Sequence, residues 1–357
     1  MSLAAPKPAA GRRVRVLLAD DSAIVRGFVR RWIDEDARIE LVKACSDGAQ
    51  AVTEAAACKP DVIVLDIEMP NLDGLSALPQ LRKAAPDARI VMASTLTTSG
   101  AAATVKALAL GASDFIAKPD ANAMGSVANY RRDLIEKIVA LGERNSAPSR
   151  AADIRLRARP AITTQPAAML VAASTGGPNA LPAFLAPVAR RIEAPILIVQ
   201  HMPAAFTPIF AEKLTNAAGK LCREAKDGDL LAPGSIYLAP GDHHMRIARC
   251  PAGRMIHLDK GEPVNFCRPA ADPLFESAVA AFGSRLLAVV LTGMGHDGRD
   301  GAGKVVEAGG RVIVQDEASS VVWGMPGAVA LAGHAEAVRP LKDLPQLALR
   351  LMNGDPA

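Results

Sequence analysis

Short apolar runs separated by helix-length stretches set the fold. Val14–Ala19, Val62–Leu65, Ile90–Ala93 and Phe115–Ala117 form one such series. Met169–Ala172, Ile196–Val199, Ser235–Leu238, Leu287–Leu291 and Val312–Val314 form a second. Strands alternating with helices predict βαβ units, hence an α/β chain with two mostly parallel sheets. Met245–Ile247 and Met255–His257 lie close enough to predict a β-hairpin inside the second block. Between the blocks, Gly142 to Pro166 carries Arg144, Arg150, Arg155, Arg157 and Arg159 among Ser, Pro and Ala, without apolar periodicity. That composition suits a linker. The expected organisation is a leader over 1–13, a first domain over 14–141, a linker over 142–166, a second domain over 167–351 and a tail over 352–357. A length of 357 residues agrees with two domains. Pro79 falls inside a helical stretch, a local conflict.

Several function classes are disfavoured. Lys plus Arg number 41 against 37 Asp plus Glu, and aromatic residues are 3%. Near-balanced charge and few aromatics give neither a phosphate-binding face nor a base-stacking platform, so no nucleic-acid partner is expected. No apolar run reaches the roughly 18 residues of a membrane span, so no membrane insertion is expected. Met1 to Arg13 has no apolar core of a secretory signal. Cys45, Cys58, Cys222, Cys250 and Cys267 are odd in number and scattered. That pattern fits reduced thiols in a cytoplasmic protein.

In the first block, Asp20 and Asp21 close one strand and Asp66 closes another. Carboxyl ends of neighbouring parallel strands converge at one edge, and three carboxylates gathered there call for a cation such as Mg²⁺. Ser94 and Lys118, also at strand ends, add a hydroxyl and an ammonium group. A carboxylate with a metal and a lysine beside it can accept a phosphoryl group. Leu17-Leu18-Ala19-Asp20-Asp21-Ser22, Leu65-Asp66-Ile67-Glu68-Met69-Pro70, Asp73-Gly74 and Lys118-Pro119 resemble a two-component response-regulator receiver domain. The resemblance implies a (βα)5 flavodoxin-like fold and phosphorylation on Asp66 by a partner histidine kinase. It also implies Mg²⁺ held by Asp20, Asp21, Asp66 and the Glu68 backbone carbonyl, and a switch through Ser94 and Phe115.

In the second block, an apolar strand runs into Ser174-Thr175-Gly176-Gly177-Pro178. Such a turn exposes a hydroxyl beside a helix start, and it serves equally well as a phosphate-binding turn. His201 ends the next strand, Ile196 to Gln200, and can act as a base toward Ser174. Asp297, after a further strand, can orient that imidazole. A rival reading uses the same stretch. Gly293-x-Gly295-x-x-Gly298 follows a strand, and Asp316 closes the next one, as in a dinucleotide-binding fingerprint. His243, His244 and His257 could suggest a metal, but adjacent strand residues point to opposite faces. A receiver-regulated docking module is the remaining alternative.

Ser174-Thr175-Gly176-Gly177-Pro178, Gln200-His201-Met202-Pro203, Arg268-Pro269 with Asp272, Leu291 to Gly295 with Asp297-Gly298, and Gly324-Met325-Pro326 resemble the chemotaxis protein-glutamate methylesterase family. That family usually carries His before the Arg-Pro pair, where this chain has Cys267. The resemblance implies a second doubly wound, mostly parallel α/β domain with Ser174 as nucleophile, His201 as base and then acid, and Asp297 as orienting acid. The Met294 backbone N–H, with help near Thr175, would line the oxyanion hole, and no cofactor is expected in this domain. The implied substrates are methylated glutamates and glutamines of chemoreceptors, with the unphosphorylated receiver covering Ser174.

Overall fold

The computed structural model describes residues 12–119, 126–143 and 165–355. Most of the leader, the linker and the end of the tail lie outside the described residues. Two compact units are present.

The N-terminal part of the chain contains, in order, β1 (Val14–Ala19), α1 (Ala23–Asp34), β2 (Ile39–Cys45), α2 (Gly48–Cys58), β3 (Val62–Asp66), α3 (Gly74–Ala84), β4 (Arg89–Ser94), α4 (Thr98–Ala109), β5 (Asp114–Ala117) and α5 (Ser126–Gly142). The strands form one parallel sheet in the order β2-β1-β3-β4-β5. All five residues of β3, Val-Ile-Val-Leu-Asp, are buried. Continuous burial is the mark of a parallel strand covered by helices on both faces. The helices start where short polar side chains cap free N–H groups. Ser22 Oγ accepts from Val25 N at 3.3 Å, Asp47 Oδ1 from Gln50 N at 2.9 Å and Asp73 Oδ1 from Ser76 N at 2.7 Å. Each such cap contributes about 1 kcal/mol. Pro79 does lie within α3. It is the sixth of eleven residues, so it removes one interior backbone hydrogen bond, which the helix tolerates.

The second unit contains β6 (Ala168–Ala173), α6 (Gly177–Leu185), β7 (Ile196–Gln200), α7 (Thr207–Ala218), β8 (Cys222–Glu224), β9 (Ile236–Leu238), β10 (His244–Cys250), β11 (Gly253–Asp259), α8 (Ala271–Phe282), β12 (Leu286–Val290), α9 (Arg299–Glu307), β13 (Arg311–Gln315), α10 (Gly324–Leu331), β14 (Ala337–Arg339) and α11 (Leu344–Met352). Seven strands form a parallel sheet in the order β14-β13-β12-β6-β7-β9-β8. The first strand of the unit therefore lies in the middle, between β12 and β7. β10 and β11 form the expected antiparallel hairpin. It is fastened to α8 by Ile247 N, which donates to Ser277 Oγ at 3.0 Å. The core joins Leu170, Leu197, Phe275, Ala288 and Val314, all buried. No helix among the described residues is long and apolar enough to cross a membrane.

Candidate functional site

In the first unit, β1 and β3 are neighbours, so Asp20 and Asp66 emerge side by side. One carboxylate oxygen each from Asp20, Asp21 and Asp66 lies within 4.8 Å of the others. Asp20 and Asp66 are buried and Asp21 is exposed. Lys118 Nζ, arriving from the end of β5, is 2.9 Å from Asp20 Oδ2 and 2.7 Å from Asp66 Oδ2. Burial pushes Asp66 up to about 6, against the pull of Lys118. The same carboxylates hold Lys118 above its ordinary value, although burial opposes this. Three clustered carboxylates with one lysine between two of them retain excess negative charge, and the all-oxygen donor set fits Mg²⁺. Glu68 is exposed, and its backbone N–H bonds the Asp66 carboxylate. Ser94 and Phe115 are buried near the ends of β4 and β5. Gly74 must be glycine, because a Cβ there would meet the Asp66 carbonyl oxygen at 1.9 Å.

In the second unit, the expected catalytic residues leave three adjacent strands at the centre of the sheet. This is the switch point where α/β sheets open a crevice. His201 N donates to Ala173 O at 3.1 Å, which places Ser174 and His201 side by side at the ends of β6 and β7. Ser174 N donates to Thr292 O at 3.0 Å, tying the Ser174 turn to the segment after β12. Gln200 Nε2 donates to the carbonyls of Ser174 and His201 at 3.0 and 3.2 Å.

Asp297 returns to the same point. Its Oδ2 lies 2.7 Å from His201 Nε2. Its carboxylate also accepts from Ala271 N at 2.6 Å and Asp272 N at 3.1 Å. These partners hold Asp297 below its usual value despite burial. An ionised carboxylate can only accept, so His201 Nε2 carries the proton and Nδ1 is the basic nitrogen. Nδ1 faces Cys267 Sγ at 3.3 Å. Burial alone would push His201 down, but Cys267 and Asp297 raise it to about 10. Among the described residues Ser174 Oγ makes no hydrogen bond, and neither does the Met294 backbone N–H. Thr175 is buried, and its carbonyl accepts from Thr292 Oγ1 at 2.8 Å.

Gly293 matters for close approach: a Cβ there would lie 3.0 Å from Ser174 Cβ and 2.3 Å from the Met325 sulfur. The glycine-rich stretch therefore packs the Ser174 turn and turns Asp297 toward His201. Asp316 Oδ1 is occupied locally by Ser319 N at 3.0 Å. The three histidines of the hairpin region serve separate partners. His243 bonds the Gly241 carbonyl, His244 the Glu262 carbonyl and His257 the Asp227 carboxylate. Among the described residues, Asp20, Asp21 and Asp66 are the candidate metal cluster.

Sequence reasoning assigned no roles to Asp272, Thr292 or Gln315. Burial and the neighbouring Asp297 push Asp272 up to about 6. Thr292 N donates to Gln315 Oε1 at 2.8 Å, and Thr292 Oγ1 accepts from Val321 N and Val322 N. Asp272 and Thr292 stood within the quoted motifs without a role, and Gln315 was marked only by its place at the end of β13.

The CheB methylesterase family model matches residues 169–348, and the response regulator receiver domain model matches residues 16–127. The protein-glutamate methylesterase/protein-glutamine glutaminase 2 of Caulobacter vibrioides is 52% identical over 345 residues, covering 94% of this chain and 99% of its own length. The protein-glutamate methylesterase/protein-glutamine glutaminase of Maricaulis maris is 42% identical over 401 residues, covering 99% of this chain and 100% of its own. The crystal structure of the Thermotoga maritima CheB methylesterase catalytic domain is similar over 53% of this chain and 100% of that one, at 37% identity and a TM-score of 0.51.

Proposed function

This chain belongs to the CheB methylesterase family, with a response-regulator receiver ahead of the enzyme domain, and we propose that it is a phosphorylation-activated hydrolase of chemoreceptor glutamate methyl esters and glutamine amides. The observation that supports this reading is that Ser174 and His201 follow the neighbouring strands β6 and β7, and that His201 Nε2 lies 2.7 Å from Asp297 Oδ2.

In this mechanism Ser174 Oγ attacks the ester carbonyl carbon while its proton passes to His201 Nδ1. The charge developing on the carbonyl oxygen is met by the Met294 N–H, with support near Thr175. Asp297 stabilises the imidazolium through Nε2. His201 then protonates the departing oxygen, methanol leaves, and an acyl-Ser174 ester remains. Water, deprotonated by His201, releases the glutamate side chain and restores Ser174. A glutamine amide follows the same course and releases ammonia.

Regulation is assigned to Asp66, phosphorylated by a histidine kinase. Asp20, Asp21 and Asp66, with the Glu68 carbonyl, would hold Mg²⁺, which when bound offsets the charge of carboxylates and phosphoryl oxygens. Lys118 would bind a phosphoryl oxygen once Asp66 carries the phosphoryl group as an acyl phosphate. The receiver is assigned to 14–141, the enzyme domain to 167–351 and the tether to 142–166. The unphosphorylated receiver restrains Ser174, and phosphorylation shifts that equilibrium.

The test is methanol release from methylated chemoreceptor fragments, with and without a small phosphodonor and Mg²⁺. Release should rise with the phosphodonor and fall about ten-thousand-fold or more in Ser174→Ala. A docking module would be indifferent to that substitution.

A further inference from the structure

The nitrogen that must receive the Ser174 proton faces a sulfur atom. His201 Nε2 is committed to Asp297 at 2.7 Å, and Nδ1 lies 3.3 Å from Cys267 Sγ. Taking His201 as the base rests on the function proposed above. Neither ring nitrogen is then open to solvent chemistry, and the imidazole is held at both edges. Cys267 is half-buried on the short segment that leads into α8. The backbone N–H groups of Ala271 and Asp272, at the start of that helix, hold Asp297. One short stretch, residues 267 to 272, therefore grips both partners of the base.

We propose that Cys267 is a positioning residue for His201: its sulfur shares one proton with Nδ1 and thereby sets when the base is available to Ser174. Two arrangements carry the same proton count. In one, a thiol S–H donates to a neutral Nδ1. In the other, the proton has moved to nitrogen, leaving a thiolate beside an imidazolium, and the base is spent. Ser174 gains its acceptor only when the proton stays on sulfur and the S–H swings away from Nδ1. No co-reactant is consumed.

The charged and titratable groups around the ring are few. Asp297 comes from the loop after β12, with Asp272 behind it from the start of α8. Cys267 comes from the segment before α8, and the Ser174 hydroxyl from the end of β6. The Arg268 guanidinium is drawn away, to Asp242 at 2.6 Å and to the carbonyls of Lys260 and Gly261. Asp297 and the Cys267 sulfur both favour imidazolium, the sulfur only while it is a thiolate.

The experiment uses the full chain. Alkylation of Cys267 by iodoacetamide is followed against pH by peptide-resolved mass spectrometry, in wild type and His201→Gln. The wild-type midpoint should lie at least about one pH unit lower, since an adjacent imidazolium favours thiolate. If the His201→Gln protein melts early, the ¹⁵N shifts of His201 in wild type and Cys267→Ala answer the same question. In parallel, the acid limb of kcat/KM for methanol release should move to lower pH by about one unit in both Cys267→Ala and Cys267→Ser, a tenfold gain on that limb. A residue that only fills space would leave that limb in place. Equal alkylation midpoints, or an unmoved limb in variants that melt like wild type, overturn the proposal. If no form of the protein releases methanol, the hydrolase reading fails, while the alkylation comparison still decides the pair.

Discussion

The two sheets bring buried aspartates to the same topological place and shift their acidity in opposite directions. In the first, Asp66 emerges beside Asp20 and Asp21, and burial raises it to about 6 in spite of Lys118. In the second, Asp297 is also buried, yet it is held low by His201 and by two backbone N–H groups. The first pocket has charge to spare and suits a cation or a phosphoryl group. The second is satisfied internally and suits a proton relay. Strand order thus decides where side chains meet, and the count of donors around them decides what they do there.

The contrast is most exposed to Asp297→Asn. An amide cannot accept from both backbone donors and still receive the Nε2 proton, so the imidazole loses its tautomer. Turnover should fall about ten-thousand-fold, and the enzyme domain should lose about 3 kcal/mol, the usual cost of breaking a buried pair. Methanol release and urea unfolding check both. Because Asp297 is depressed in the fold, its stabilisation is present above the ordinary carboxylate range and is lost as pH falls through its folded value.

Asp66→Asn should act with the other sign. A carboxylate raised by folding opposes the folded state as pH climbs from 3.8 through about 6. Removing it should stabilise the receiver by about 1–2 kcal/mol near pH 7.5 and by almost nothing at pH 4. The phosphodonor response should vanish while basal methanol release persists. Loss of receiver stability in Asp66→Asn at pH 7.5 would break the comparison.

The smallest effect is ionic. Mg²⁺ at ten times its dissociation constant should raise wild-type receiver stability by about 1.4 kcal/mol. Asp66→Asn, with one carboxylate fewer, should respond less, and the Asp297 variant should respond like wild type. Thermal melts with and without Mg²⁺ read the difference.

Legibility followed burial. β3, β6, β7, β12 and β13 are visible as apolar runs, and β1 as one interrupted only by Arg15, because helices cover both faces. β2, Ile-Glu-Leu-Val-Lys-Ala-Cys, escaped because it is an edge strand with a half-exposed, charged pattern. β8 and β14 escaped because each is an edge of three residues. Ser174, His201 and Asp297 could be proposed because each follows a readable strand. Which nitrogen of His201 takes which partner could not, because ring orientation depends on Asp297 and Cys267, both distant in the chain. Gln315 was hidden for the same reason: its amide meets Thr292 only once β13 lies beside β12.

The central place of β6 also orders events in time. Its partner β12 lies roughly 120 residues further along, and Val171 pairs with Val289. That is a long loop to close, and closure of distant parallel strands slows folding. The five receiver strands are complete by Ala117. During N-to-C synthesis the receiver can therefore fold while Ser174 still lacks the strand that aligns it. A newly made chain should carry a folded receiver before it carries an assembled enzyme domain.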